Sequence, residues 1–151
     1  MVNSHYLVTN AKTVSILNIK SKTLTVINVG INMAKILVID DSPTMLSGTS
    51  KILTSAGYDV VQAVNGEEGI AKAGSENPDL ILMDVVMPDL NGFQATRTIT
   101  SADTTKHIPV IMLTTKDAET DKVWAQRQGA SDYIVKPPSA KELLSKIDNL
   151  L

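Results

Sequence analysis

Apolar and polar positions change rhythm repeatedly along this chain, and each change marks a candidate element. From residue 33 onward, short apolar runs alternate with amphipathic stretches. Lys35–Ile39 is a short β-branched run of the kind found in a buried parallel strand. Ser42-Pro43 then supplies an N-cap residue followed by proline at the first helical position. Met45, Leu46, Thr49, Ile52, Leu53 and Ala56 recur at three- and four-residue steps, and Gly57 can end that helix. Asp59–Val64 reads as the second strand of this region, and Asn65-Gly66 turns the chain into a short helix through Ile70 and Ala73. Pro78-Asp79 precedes a third strand, Leu80–Met83, and a loop containing Pro88 and Gly92 leads to a helix over about Phe93–Ser101. Pro109 precedes a fourth strand, Val110–Leu113. A fourth helix over about Asp117–Gln128 stops at Gly129, and Tyr133–Val135 is the fifth strand. Ser139 caps the last helix, with Glu142 three positions on completing a capping box.

Five strand–helix units in succession predict an α/β fold, a doubly wound five-stranded parallel sheet with helices on both faces. In such folds the functional site lies beyond the carboxyl ends of the strands.

Residues 1–32 have another character. They are rich in Ser, Thr and Asn, carry Lys12, Lys20 and Lys22, and hold no acid, since every Asp and Glu lies at or after Asp40. Val14–Ile19 and Leu24–Val29 have strand-like composition around Ser21-Lys22. A lone hairpin is marginal in water, so the expectation is an N-terminal extension over 1–32 that is disordered or non-native. Met33 is then the natural start of a domain over 33–151.

A length of 151 residues suits one domain, and 43% apolar residues suffice for a core. Net charge −2 gives no basic field to recruit nucleic acid or an anionic membrane. No cysteine is present, which excludes disulfides, thiolate metal sites and cysteine nucleophiles and is compatible with a reducing cytoplasm. No apolar run approaches the ~20 residues that span a bilayer, and no signal-peptide pattern opens the chain, so a cytoplasmic location is expected.

The chemistry gathers at the strand ends. The first strand ends in Asp40-Asp41, the third in Asp84, the fourth in Thr114-Thr115 and the fifth in Lys136-Pro137. Each has an ordinary reading: a helix cap for Asp40-Asp41 and for Thr114, a loop start for Asp84, a solvated lysine for Lys136. Together they fall on the one edge that the fold makes functional. Crowded carboxylates must hold a proton or a cation. Oxygen-only ligands with open positions suit Mg²⁺. A metal-neutralised carboxylate can attack a phosphoryl donor to give an aspartyl phosphate, while a lysine and a hydroxyl take the transferring oxygens.

These residues resemble the response-regulator receiver (CheY-like) family, from about Lys35 to Leu150, in the motifs ILVIDDSP, LILMDVVMPDLNG, VIMLTT and GASDYIVKP. The resemblance implies a flavodoxin-like sheet of strand order 2-1-3-4-5. It makes Asp84 the phosphoacceptor, with Asp41 and Asp84 as direct Mg²⁺ ligands, Asp40 acting mainly through water, and the Val86 backbone carbonyl as a further ligand. Thr114 becomes the switch hydroxyl, Tyr133 the aromatic switch residue, and Lys136 the phosphoryl-binding lysine before a cis Lys136-Pro137 bond. Apolar Val86 and basic Lys116 flank the path of a hydrolytic water, so both are expected to affect the phosphoryl lifetime. More narrowly, NGFQATR and TTKDAETDKVWAQRQGASDY look like the PilH-type regulators of type IV pilus twitching motility. That likeness implies a CheA-like histidine kinase as donor and an output on pilus motor components, by protein contact at the surface of the fourth helix, fifth strand and fifth helix. Trp124 is expected to pack inward from the fourth helix.

The protein is thus expected to catalyse only its own phosphorylation and dephosphorylation, since no residues remain for an output domain. Three rivals stand beside this reading. A Mg-dependent phosphatase with an aspartyl nucleophile should show D-x-D-x-T after its first strand, where this chain has Asp40-Asp41-Ser42-Pro43-Thr44. A nucleotide or flavin module should have a glycine- or hydroxyl-rich first loop, where this chain has two carboxylates. A degenerate receiver used only for binding should lack part of the site.

Overall fold

The computed structural model describes residues 33–115 and 119–151, and before them the backbone of three strands. The chain divides into two units, Met1–Met33 and Ala34–Leu151. In the first, β1 (His5–Asn10), β2 (Thr13–Asn18) and β3 (Thr23–Ile27) pair antiparallel, with Leu7 opposite Ile16 and Ile16 opposite Thr25. Two of these strands overlap the strand-like stretches, and His5–Asn10 supplies a third strand that a lone hairpin lacks. Ser21-Lys22 lies outside the described residues.

The second unit alternates strand and helix throughout. Its strands are β4 (Lys35–Ile39), β5 (Asp59–Ala63), β6 (Leu80–Asp84), β7 (Val110–Thr114) and β8 (Asp132–Val135). Its helices are α1 (Pro43–Ser55), α2 (Gly66–Glu76), α3 (Gly92–Ser101), α4 (Glu119–Arg127) and α5 (Ala140–Leu150). The strands form one parallel sheet in the order β5-β4-β6-β7-β8. Counted from β4 this is 2-1-3-4-5, as expected.

Successive side chains of a strand point to opposite faces, so a sheet covered on both sides needs apolar residues at nearly every position. Strands β6 and β7 are buried along their whole length. Leu37, Ile39, Ile81, Met83 and Met112 pack on one face with Ala73, Ala95, Ile99 and Ala125 of α2, α3 and α4. Ile36, Val38, Leu82, Ile111 and Leu113 pack on the other with Leu46 and Leu53 of α1 and Leu143 and Ile147 of α5.

The helix punctuation follows the sequence closely. Ser42 Oγ accepts from the Met45 amide at 3.4 Å, with Pro43 next in the chain, and Ser139 Oγ accepts from the Glu142 amide at 3.1 Å, the forward half of the capping box expected there. A reciprocal capping box closes at the start of α3. There Asn91 Oδ1 accepts from Gln94 N at 3.0 Å, and Gln94 Oε1 accepts from Asn91 N at 3.2 Å. Trp124 departs from expectation. It is 53% exposed, with the Arg127 guanidinium 6.0 Å from its ring centroid. The neighbouring small Ala125 takes the inward position instead. The expected helix start at Asp117 lies outside the described residues.

Tyr58 ties the start of β5 to α5, its hydroxyl donating to Asp148 Oδ1 at 2.6 Å. Partial burial, then the Asp148 carboxylate, push its pKa up from 10.0 to about 12. Because the folded value is the higher one, this contribution to stability is complete below pH 10 and is lost as pH rises toward 12. Urea denaturation should therefore show Tyr58→Phe less stable than the parent at pH 8, by at most about 1 kcal/mol for a half-exposed bond. The difference should shrink above pH 10; a constant difference up to pH 12 would contradict it.

Candidate functional site

Parallel register brings the strand ends to one edge. Ile39 lies opposite Met83, Asp84 opposite Leu113, and Thr114 opposite Val135. The residues just past these pairs therefore meet. Asp40 leaves β4 with its amide bonded to the Ala63 carbonyl at 3.1 Å, and its Oδ1 accepts from the Ser42 amide at 2.9 Å. Val85 donates to Leu113 O at 2.9 Å, and Lys136 donates its amide to Thr114 O at 2.6 Å. The Lys136–Pro137 bond is cis. Asp40, Asp84 and Thr114 are buried, at 3%, 5% and 1% exposure, whereas Asp41 is exposed.

One ammonium sits between the two buried acids. Lys136 Nζ lies 2.5 Å from Asp40 Oδ2 and 2.9 Å from Asp84 Oδ1. Burial pushes the Asp84 carboxyl above its ordinary value; Lys136 opposes the rise, and the nearby Asp40 and Asp41 add to it. At Lys136 the balance reverses. Burial alone would lower its pKa, but hydrogen bonds to Asp40 and Asp84 and their attraction outweigh it, so Lys136 remains a cation.

The carboxylates of Asp40, Asp41 and Asp84 each offer an oxygen within 4.8 Å of the others. Three carboxylates against one ammonium leave two negative charges, and the donors are all hard oxygens. That set fits a divalent cation of the Mg²⁺ type. The cleft around them, about 400 Å³, is also lined by Ser42, Met45, Val86, Thr115 and Pro137.

Asp40, Asp41, Asp84 and Lys136 thus converge, and Thr114 ends the neighbouring strand at the same edge. Val86 is on the rim with its side chain 60% exposed. Tyr133 does not line the acidic cleft. It packs partly against the core and faces a separate depression of about 440 Å³, with Lys122, Glu142 and Lys146 on its walls. Lys116 lies outside the described residues. Sequence reasoning did not find Met45 or the Ser42 amide as site neighbours. Their signal was the helix cap, which turns the first residues of α1 toward the acids.

A doubly wound sheet of this order, with an acid pair, a central aspartate and a lysine at its carboxyl edge, defines a receiver. The chain belongs to the response regulator receiver domain family, which matches residues 36–148. It is 53% identical over 119 residues to Protein PilH of Pseudomonas aeruginosa, covering 79% of this chain and 98% of that protein. Protein PilG of the same organism is 38% identical over 113 residues, covering 75% of this chain and 84% of PilG. Among solved structures, the chemotaxis response regulator CheY4 of Vibrio cholerae superposes with a TM-score of 0.75 at 35% identity, covering 80% of this chain and 100% of that one. The response regulator domain of Thermotoga maritima CheB gives a TM-score of 0.71 at 34% identity, covering 79% of this chain and 96% of that one.

The raised Asp84 value carries a stability consequence. A carboxyl whose folded pKa lies above its unfolded value supports the fold while protonated, and that support is lost as pH rises through the folded value. Asp84→Asn keeps the shape and an acceptor for Lys136 but removes the buried charge. It should be more stable than the parent at pH 7 and should lose that advantage below the ordinary carboxyl value of 3.8. Urea midpoints at the two pH values measure this, and a variant less stable at pH 7 would refute it.

Proposed function

We propose that Asp84 accepts a phosphoryl group and that the chain works as a phosphoacceptor response regulator in a two-component, chemosensory phosphorelay. The observation that carries this reading is the convergence of Asp84, Asp40, Asp41 and Lys136 in one cleft. Asp84 Oδ1 is engaged by Lys136, which leaves Oδ2 to attack the donor phosphorus. The new bond joins Oδ2 to phosphorus as the bond from phosphorus to the donor histidine nitrogen breaks, and that nitrogen keeps the electron pair. Asp41, Asp84, Asp40 through water and the Val86 carbonyl would hold Mg²⁺, which supplies charge neutralisation at the carboxylates and the transferring oxygens. Lys136 moves from carboxylate oxygens to the incoming phosphoryl oxygens, and the Thr114 hydroxyl donates to the same group.

Phosphorylation of a hydroxyl side chain adds roughly −1.5 to −2 charge, and an acyl phosphate on Asp84 acts alike. In this reading Thr114 is drawn toward the phosphoryl group, Tyr133 turns toward the space it leaves, and the surface of α4, β8 and α5 changes for a protein partner. The identity to PilH supports a CheA-like histidine kinase as donor and pilus motor components as targets, with control of twitching motility as the output. It exceeds the 35% identity to CheY4, which favours this output over a chemotaxis-type one. No helix among the described residues is long and apolar enough to cross a membrane. The functional unit in this reading is residues 33–151, acting in the cytoplasm, with residues 1–32 an extension to it.

Incubation with a CheA-like kinase and ATP, or with acetyl phosphate and Mg²⁺, should label the chain. Asp84→Asn and chelation of the metal should each abolish labelling; a labelled Asp84→Asn protein would sink the assignment. The same assay reads the lifetime. Valine at 86 has no polar atom to hold a water beside the phosphoryl group, so Val86→Asn should shorten the lifetime about tenfold, the effect of one added hydrogen bond of about 1.4 kcal/mol. An unchanged decay rate would show that Val86 does not govern hydrolysis.

A further inference from the structure

The loop that leaves Asp84 returns to it. Gly92, the first residue of α3, donates its N–H to the Val85 carbonyl at 2.9 Å. A Cβ at Gly92 would overlap the Asp84 carbonyl oxygen and lie 2.9 Å from both the Asp84 carbonyl carbon and the Val85 Cα. All three atoms are backbone, so no side-chain rotation relieves the overlap; α3 or the end of β6 must move.

Neither side yields easily. The strand end is held by the Val85–Leu113 bond at 2.9 Å, and the first turn of α3 is held by the reciprocal bonds of Asn91 and Gln94. The loop between these fixed points carries Val86, whose carbonyl is assigned to the metal in the reading above. A displacement at Gly92 therefore reaches both the Asp84 carboxylate and the Val86 carbonyl. Gly129 provides a contrast within the same molecule. Its φ of +89° and the nearness of Thr100, with Oγ1 2.8 Å from a Cβ there, make a side chain unfavourable. Its strain falls on the turn after α4 and touches no residue of the acidic cleft.

We propose that Gly92 is a positioning residue for Asp84. Its missing side chain lets α3 close on the Asp84 carbonyl and sets the spacing of carboxylate and loop that a divalent cation and a phosphoryl group require. The proposal rests on the reading of Asp84 as acceptor.

The test uses the full chain. Calorimetric titration of Gly92→Ala with Mg²⁺ should show affinity weakened by about 10- to 100-fold, the scale seen when support for a ligand is lost. Acetyl phosphate labelling should fall on the order of 100-fold, as for a misplaced reacting group. Gly129→Ala should lose thermal stability yet bind Mg²⁺ as the parent does, which separates positioning from general weakening. A folded Gly92→Ala protein with parental Mg²⁺ affinity and labelling would overturn the proposal, as would an equal loss of affinity in both variants. If the parent fails to label on Asp84, the acceptor reading falls, while the Mg²⁺ arm still decides the geometric claim. Should Gly92→Ala not fold, amide exchange of the parent decides. With Mg²⁺ and beryllofluoride the Gly92 amide should gain about tenfold protection as the bound state tightens, and the Gly129 amide, bonded to Gln126 O, should not. No gain at Gly92, or the same gain at Gly129, would overturn the proposal.

Discussion

One ammonium shared by two buried carboxylates governs this molecule. Lys136 reaches both Asp40 and Asp84 at hydrogen-bond distance in a site where all three side chains are nearly closed to water. Buried charges are tolerated only when paired, and taking the ammonium away would leave two buried carboxylates without compensation. The pairing demands that β4, β6 and β8 end at the same height, because Asp40, Asp84 and Lys136 come from three different strands. The register of the parallel sheet supplies that alignment, and the apolar layers on both faces hold it. Core and site are thus one construction. A slip of β6 against β4 would leave apolar residues on both covered faces, but it would move Asp84 away from Asp40 and the ammonium they share.

Much of this was legible in the sequence because the relevant signals are local. Apolar runs announced the central strands, Ser42-Pro43 and Ser139 announced helix starts, and the fold rule then told which residues share an edge. What escaped was decided by distant packing. Trp124 was expected inside because large aromatics usually bury, but α4 offers the core only Ala125, and no local pattern shows that. Tyr133 stands one residue into β8, and the pleat turns it to the depression beside α4 and α5 rather than to the acids. The capping box at Asn91 and Gln94 has the expected spacing in residue types other than Ser and Glu, so it was readable and was passed over. Gly92 stood in a motif, but its reason is a contact between backbone atoms, which no pattern of side chains encodes.

Asp84 and Lys136 are both shifted upward, burial winning at the first and the carboxylate partners at the second. Burial raises the energy of both charges, and the outcome at each depends on how many partners answer it. Lys136 has two carboxylates and remains charged; Asp84 shares its single cation with Asp40 and has Asp41 nearby, so its charge is the less well compensated. A site left with surplus negative charge favours a divalent cation over a proton at neutral pH. In the reading of Asp84 as acceptor, a metal that removes the surplus would also leave its carboxylate free to act as a nucleophile.

The same scarcity explains how a phosphoryl group on Asp84 would be felt at a distance. The new oxygens and Asp40 would compete for one ammonium, and Lys136 cannot serve both in its present place. Its backbone is no looser than its side chain, since the Lys136 amide donates to Thr114 O at 2.6 Å. A shift of Lys136 therefore pulls on the ends of both β7 and β8. Strand β8 gives Tyr133 and Val135 to the depression that Lys122, Glu142 and Lys146 also wall, beside the exposed Val123 and Trp124 of α4. The route from chemistry to surface is then three residues of β8 and one shared hydrogen bond.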